Sequence, residues 1–231
     1  MVKKKLILVF GASSGVGKEL SKLLSRKYKI IAFYNKNKPK FDKKIQMKNL
    51  NFLKENEVKK IPKIINLNNF KIVILNFASI KIDKMSLFVN KVDFNKTVQI
   101  NIHSYFKIIQ TILPVMMKNS WGRIINISST GGAAGEKGTM LYSMSKNATH
   151  GIMQVMSKEY GKFNITFNTL KLGNFNYGLY KKLNKNIQKK ILEKIPSNKT
   201  GDIKNIFFAV EFLMNSDYVN GSSINIDGGY R

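Results

Sequence analysis

The chain has 231 residues, with 40 Lys and Arg against 13 Asp and Glu, two His and no Cys. That length suits one α/β domain spanning 1–231 and leaves no room for a second of ordinary size. The lack of Cys excludes disulfides and thiolate metal sites and agrees with a reducing cytoplasm. His103 and His150 stand far apart, with no cluster of carboxylates beside either, so no metal is expected.

The first apolar run, Leu6–Phe10, is too short for a signal-peptide core or a membrane span. No membrane association is expected. The formal net charge of +27 raises the question of polyanionic partners. Arg occurs only at 26, 123 and 231, so 37 of the basic residues are Lys. Nucleic-acid readers lean on Arg for bidentate contacts. The Lys excess, with abundant Asn and Ile, reads first as a solvated surface drawn from an AT-rich genome. A preference for anionic ligands comes second, and no nucleic-acid partner is expected.

In chain order, Lys5–Phe10 is a buried-type strand, followed by a Gly-rich turn and an amphipathic stretch at 17–27. Lys29–Tyr34 is a second strand, 35–44 a Lys-rich loop, and Ile45–Leu50 a short third strand. Residues 54–67 pattern poorly as a helix broken at Pro62. Lys71–Phe77 is a strand, 93–118 a long helix, and Arg123–Ser128 a strand. Then come a helix at 140–162, a strand at 164–172, a helix at 202–215 and a closing strand at Ser223–Ile226. Strands that are apolar without alternation, separated by helices, predict a doubly wound, mainly parallel sheet of about seven strands in a Rossmann-type three-layer sandwich.

The first strand runs through Gly11-Ala12-Ser13-Ser14-Gly15-Val16-Gly17 into a helix. Glycines here permit a tight turn, close approach of a pyrophosphate and close helix packing, while the helix start offers free N–H groups to phosphates. The spacing is G-x-x-x-G-x-G, not G-x-G-x-x-G. At the end of the second strand, where NAD-selective folds place an acid on the ribose, the chain has Asn35 and Lys36 and no acid before Asp42. A 2′-phosphate is tolerated there, so NADP(H) is favoured over NAD(H).

Tyr142 and Lys146 lie one helical turn apart on one face. In a chain so rich in Lys this spacing carries little alone, and Tyr34/Lys38 and Tyr177/Lys181 repeat it. Its context carries more. Asn76-Phe77-Ala78-Ser79 follows the fourth strand, Asn101 lies in the long helix, and Ser129 precedes Tyr142 by 13 positions, with Ser128 off by one. Ile226-Asp227-Gly228-Gly229-Tyr230 stands near the C-terminus. In this order the motifs resemble those of the short-chain dehydrogenase/reductase family, with a likeness to 3-oxoacyl-[acyl-carrier-protein] reductases, along essentially the whole chain.

The resemblance implies an NADP(H)-dependent oxidoreductase that reduces a carbonyl to an alcohol, or the reverse. Tyr142 would be the proton donor or acceptor, and Lys146 would hold the nicotinamide ribose and, with the oxidised nicotinamide, lower the Tyr142 pKa. Ser129 would bond the substrate oxygen. Asn101 would hold a water linking Lys146 to solvent. The cofactor site would comprise Gly11, Ser13, Ser14, Gly15, Val16, Gly17, Asn35, Lys36, Asn49, Leu50, Asn76, Ala78, Tyr142, Lys146, Gly173 and Phe175.

Phe77 and Ser79 depart from the Asn-Asn-Ala-Gly pattern of that family. Leu172-Gly173-Asn174-Phe175 lacks the usual Pro-Gly, and Tyr177 is a bulky substitute for Thr. Residues 177–196 form a Lys-dense insert expected to fold over the substrate as a lid. The substrate is then a small or carrier-bound carbonyl or alcohol, including a 3-oxoacyl thioester. The alternatives are a sugar or other small metabolite and, in another class, a non-catalytic dinucleotide-binding regulator. A homotetramer or homodimer is implied, with the helix after Tyr142 and the C-terminal segment as interfaces.

Overall fold

The computed structural model describes residues 3–13, 15–51 and 53–230. Seven strands form one all-parallel sheet: β1 Lys4–Phe10, β2 Lys29–Tyr34, β3 Ile45–Asn49, β4 Phe70–Asn76, β5 Gly122–Ser129, β6 Ile165–Leu172 and β7 Ser223–Ile226. Their order is β3-β2-β1-β4-β5-β6-β7. The chain reverses its direction of growth between β1 and β4, so their C-terminal ends diverge into a crevice, the usual ligand site of such sheets.

Both faces of the sheet are covered, which is why the strands lack alternation. Even-numbered residues of β1, β4 and β5 (Leu6, Leu8, Ile72, Ile74, Ile124) pack with Tyr105, Ile108, Ile112 and Met153. Their odd-numbered neighbours (Ile7, Val9, Val73, Leu75, Ile125) pack with Leu20, Leu24, Ile206, Val210 and Leu213. The helices supplying these side chains are α1 Gly15–Leu24 and, after the short α2 Glu55–Lys59 and α3 Ile61–Ile64, the long pair flanking β5, together with the last helix. Residues 54–67, read as one poor helix, are two short ones because Pro62 lacks the N–H that continuation needs.

The long helix predicted over 93–118 is interrupted. It consists of α4 Lys91–Thr97, a π-helical stretch Val98–His103 and α5 Ser104–Lys118. An Asn90 side chain caps its start by accepting from the Asp93 N–H. A short helix α6, Thr130–Ala134, follows β5 directly, where the Gly-rich sequence offers no periodicity to predict one. Then come α7 Met140–Tyr160, α8 Gly178–Lys181, α9 Lys185–Glu193 and α10 Ile203–Asn215. The predicted lid is thus two helices, the second capped by Asn184. Asp202 and Asn205 form a reciprocal capping box that starts α10. Among the described residues no helix is long and apolar enough to cross a membrane.

Candidate active site

A cleft of about 990 Å³ opens at the C-terminal ends of β1, β4, β5 and β6. The turn after β1 forms one wall, with Gly11, Ser13, Gly15, Val16 and Gly17 lining it; Ser14 lies outside the described residues. Gly11 has φ +79°, and a Cβ there would meet the Ala78 nitrogen at 2.4 Å and the Phe77 carbonyl carbon at 2.6 Å. A side chain at Gly17 would meet the Gly11 oxygen at 2.8 Å and the Phe77 ring at 3.1 Å. The turn therefore lies directly on the loop after β4. Phe77, the departure from Asn, packs as an aromatic floor under the start of α1.

The second wall begins where β5 ends. Ser129 is both the last residue of that strand and the N-cap of α6, with its hydroxyl facing the Gly132 N–H at 3.5 Å. It also neighbours the Tyr142 phenol closely enough to influence its proton. Tyr142 and Lys146 point from one face of α7 into the cleft. Gly132 lets α6 press on them, since a Cβ there would lie 3.2 Å from the Lys146 side chain and 3.3 Å from the Tyr142 ring.

Lys146 is buried and donates to the Ile127 carbonyl at 2.9 Å. Burial lowers its pKa to about 8. Burial raises the pKa of Tyr142, with the Ser129 hydroxyl pulling it down and the Asp83 charge pushing it up. Desolvation by burial is the largest of these influences. The Lys146 ammonium is engaged by the strand carbonyl and lies 5.5 Å from the Tyr142 ring centroid.

The Lys146 shift has a stability consequence. Between pH about 8 and 10.5 the unfolded chain holds a proton that the folded one has released. Stability contributed by this residue therefore rises with pH through that window, and the burial cost is fully present below it. Relative to Lys146→Met, the wild type is expected to gain about 3 kcal/mol across the window in denaturant unfolding. A difference that does not change with pH would contradict this.

Asn101 sits in the π-helical stretch and is buried. Its carbonyl oxygen accepts from the Ile80 N–H at 2.8 Å, and its amide donates to the Ile80 carbonyl at 2.9 Å and the Ser145 hydroxyl at 3.0 Å. The side chain is thus occupied in fastening the loop after β4 to α7. Ser145 in turn donates to the Tyr142 carbonyl.

The remaining predicted residues divide. Ala78, Gly173 and Phe175 line the cleft, although the Phe175 ring is buried against Gly201. Asn76 is buried behind the cleft, accepting from the Ala78 N–H at 3.2 Å. Asn35 and Lys36 are exposed beyond β2, and the Asn49 amide donates to the Asn35 carbonyl. Leu50 is a core side chain whose N–H reaches the Tyr34 carbonyl.

Residues of the 177–196 insert form the third side. Gly178 approaches the Gly11–Gly17 turn so closely that its Cα would lie 3.3 Å from a Cβ on Gly15. Tyr180, Leu183, Ile187 and Ile191 face the cleft, with Lys190 and Lys194 beside them. The sequence places neither Glu136 nor Tyr230 at the site, although Tyr230 ends the C-terminal motif, and both also line the cleft. They are 94 positions apart, and no periodic or motif signal joins them. Among the described residues there is no group of three or more His, Cys, Asp and Glu able to hold a metal.

The whole arrangement matches known proteins. A family model described as short chain dehydrogenase matches residues 5–188. The chain belongs to the short-chain dehydrogenase family. Within this family it is similar to 3-oxoacyl-[acyl-carrier-protein] reductase FabG of Rickettsia prowazekii (strain Madrid E), at 30% identity over 97% of the chain and 96% of the relative. FabG of Buchnera aphidicola subsp. Schizaphis graminum (strain Sg) is also 30% identical, over 99% and 98%. Among solved structures, ElxO with NADP bound superposes with a TM-score of 0.84 at 25% identity, covering 98% of both chains. A variant of ElxO with NADPH bound gives 0.86 at the same identity and coverage. Members of this family are oxidoreductases that bind a nicotinamide dinucleotide, and the cleft of about 990 Å³ that Gly11, Gly15 and Gly17 line has room for one.

Proposed function

We propose that the chain is a single-domain, NADP(H)-dependent ketoreductase acting on a small or carrier-bound carbonyl substrate, a 3-oxoacyl thioester foremost. The observation that carries this reading is the convergence of Ser129, Tyr142 and Lys146 in the cleft that the Gly11–Gly17 turn also lines. Similarity to FabG reductases and to NADP-bound ElxO supports the substrate class and the cofactor.

The backbone of the Gly11–Gly17 turn and the start of α1 would hold the pyrophosphate, and Lys36 the 2′-phosphate. When bound, the dinucleotide supplies the hydride that the substrate carbon takes up. The Ser129 hydroxyl donates to the carbonyl oxygen and stabilises the negative charge developing there. Tyr142 delivers its phenolic proton to the same oxygen, completing the alcohol. Lys146, held by the Ile127 carbonyl, places a positive charge behind the phenol and favours its ionised form after transfer. The Asn101 side chain has its amide and carbonyl engaged, so its part is to hold the Ile80 loop and α7 in register.

Lys36→Glu is expected to raise the KM for NADPH by about tenfold or more while leaving that for NADH nearly unchanged. Steady-state oxidation of each cofactor reads this. An unaltered NADPH to NADH ratio would contradict the assignment of Lys36 to the 2′-phosphate.

A further inference from the structure

The C-terminal segment reaches across the cleft. β7 ends beside β6, where the Gly173 N–H donates to the Ile226 carbonyl at 2.9 Å. The next residues turn back under the Asp227 side chain, which accepts from the Gly229 N–H at 3.1 Å. They brace the far end of the insert: the Ser197 N–H donates to the Gly228 carbonyl at 3.2 Å, and a side chain at Gly228 would collide with Ile195 and Ser197. Tyr230 then extends its hydroxyl to Glu136 Oε1 at 2.9 Å, in the loop between α6 and α7.

Glu136 is the one carboxylate among the described residues lining the cleft, beside Lys81, Lys137, Lys146, Lys190 and Lys194. None of these comes within ion-pair distance of it among the described residues. One carboxylate oxygen is taken by Tyr230; the residue is exposed, and among the described residues no hydrogen bond or ion pair engages the second oxygen. Its place relative to the reacting groups follows from Gly131. A Cβ there would lie 3.8 Å from the Ser129 hydroxyl and 3.9 Å from Glu136 Oε1, so the two oxygens are less than 8 Å apart. Adding ordinary hydrogen-bond lengths at both ends leaves room for a donor roughly two to six bonds beyond a carbonyl carbon held by Ser129.

Resting on the ketoreductase reading, we propose that Glu136, oriented by Tyr230, sets specificity: it accepts a hydrogen bond from a hydroxyl or amide N–H that the substrate carries beyond its reacting carbonyl, and repels a carboxylate in that position. A neutral donor gains a charge-assisted bond to a fixed acceptor, whereas an alkyl group strips water from the carboxylate without replacing it. Tyr230 acts through Glu136 as a positioning residue. Its raised pKa, caused by burial and then by the Glu136 bond and charge, is consistent with a neutral phenol donating at neutral pH.

Matched probes test this with NADPH as reductant. Hydroxyacetone is compared with butanone and pyruvate for the hydroxyl. The N-acetylcysteamine thioester of acetoacetate is compared with its S-ethyl thioester for the amide. The donor-bearing probe of either set or both is expected to show a KM about tenfold lower, with similar kcat; which set shows it tells hydroxyl from amide. Glu136→Leu should abolish the preference, and Tyr230→Phe should reduce it through KM. Glu136→Gln, which keeps an acceptor without the charge, should retain most of it and admit pyruvate. Calorimetric titration of the enzyme–NADP⁺ complex with the same probes reads the preference without turnover, so a missing reaction counts against the ketoreductase reading alone. Equal affinity within both sets, or a preference that survives Glu136→Leu, would overturn the proposal.

Discussion

Tyr142→Phe is expected to lower kcat for carbonyl reduction by about 10²- to 10⁴-fold, the range of a lost general acid, while the Kd for NADPH changes little. The phenol oxygen is the only atom removed. The ring stays packed against α6 beside Gly132, so no cavity forms. The Ser129 hydroxyl loses the phenol as neighbour but faces the open cleft, where water replaces it. Stability should therefore move by less than about 1.5 kcal/mol. The separation of effects is the diagnostic part. A variant with near-normal kcat would remove Tyr142 from the chemistry, and one that failed to bind NADPH would mean that the phenol serves the cradle. Stopped-flow binding and steady-state turnover on one preparation distinguish these results.

Gly11→Ala is expected to cost the protein about 2–6 kcal/mol, combining left-handed backbone strain with overpacking. At φ +79° an L side chain is strained before any contact is counted, and the added carbon meets the backbone of Phe77 and Ala78, which cannot swing aside. For a domain of this size such a loss lowers Tm by roughly 4–24 °C. What remains folded should bind dinucleotide poorly, because the turn must lift away from the loop after β4. Gly15→Ala is the graded control. Its φ of +60° is also left-handed, but the nearest atom to a new Cβ is the Gly178 Cα at 3.3 Å, in the insert. That substitution should cost clearly less stability than Gly11→Ala. Equal Tm values for the two variants would contradict the reading of Gly11 as the point where turn and loop touch.

The parallel sheet was legible because its central strands, buried on both faces, are apolar at most positions, and each of the seven predicted strands formed within a residue or two at either end. Order and spacing, which no single member carries, pointed to Ser129, Tyr142 and Lys146, which the structure brings to one cleft, whereas Asn101, named with them, does not line it. Less legible was whatever depends on groups distant in sequence. Nothing in residues 93–118 signals that the helix widens into a π turn at Asn101, where the side chain makes a three-bond anchor to Ile80 and Ser145. Nor does the sequence around Tyr142 show that burial raises its pKa. The strand carbonyl of Ile127 claims the Lys146 ammonium, and that neighbour appears only when β5 and α7 are packed. Glu136 and Tyr230 lie in Gly-rich segments without period, and only the return of the C-terminus across the cleft brings them together.

The measurement that tests the central claim most directly is oxidation of NADPH and NADH by the purified wild type against acetoacetyl thioesters and a small panel of ketones and ketosugars. Turnover with NADPH, faster than with NADH and reduced by at least about a hundredfold in Tyr142→Phe, is the predicted result. Failure to oxidise or bind either dinucleotide would contradict the account at its first step, the turn from Gly11 to Gly17.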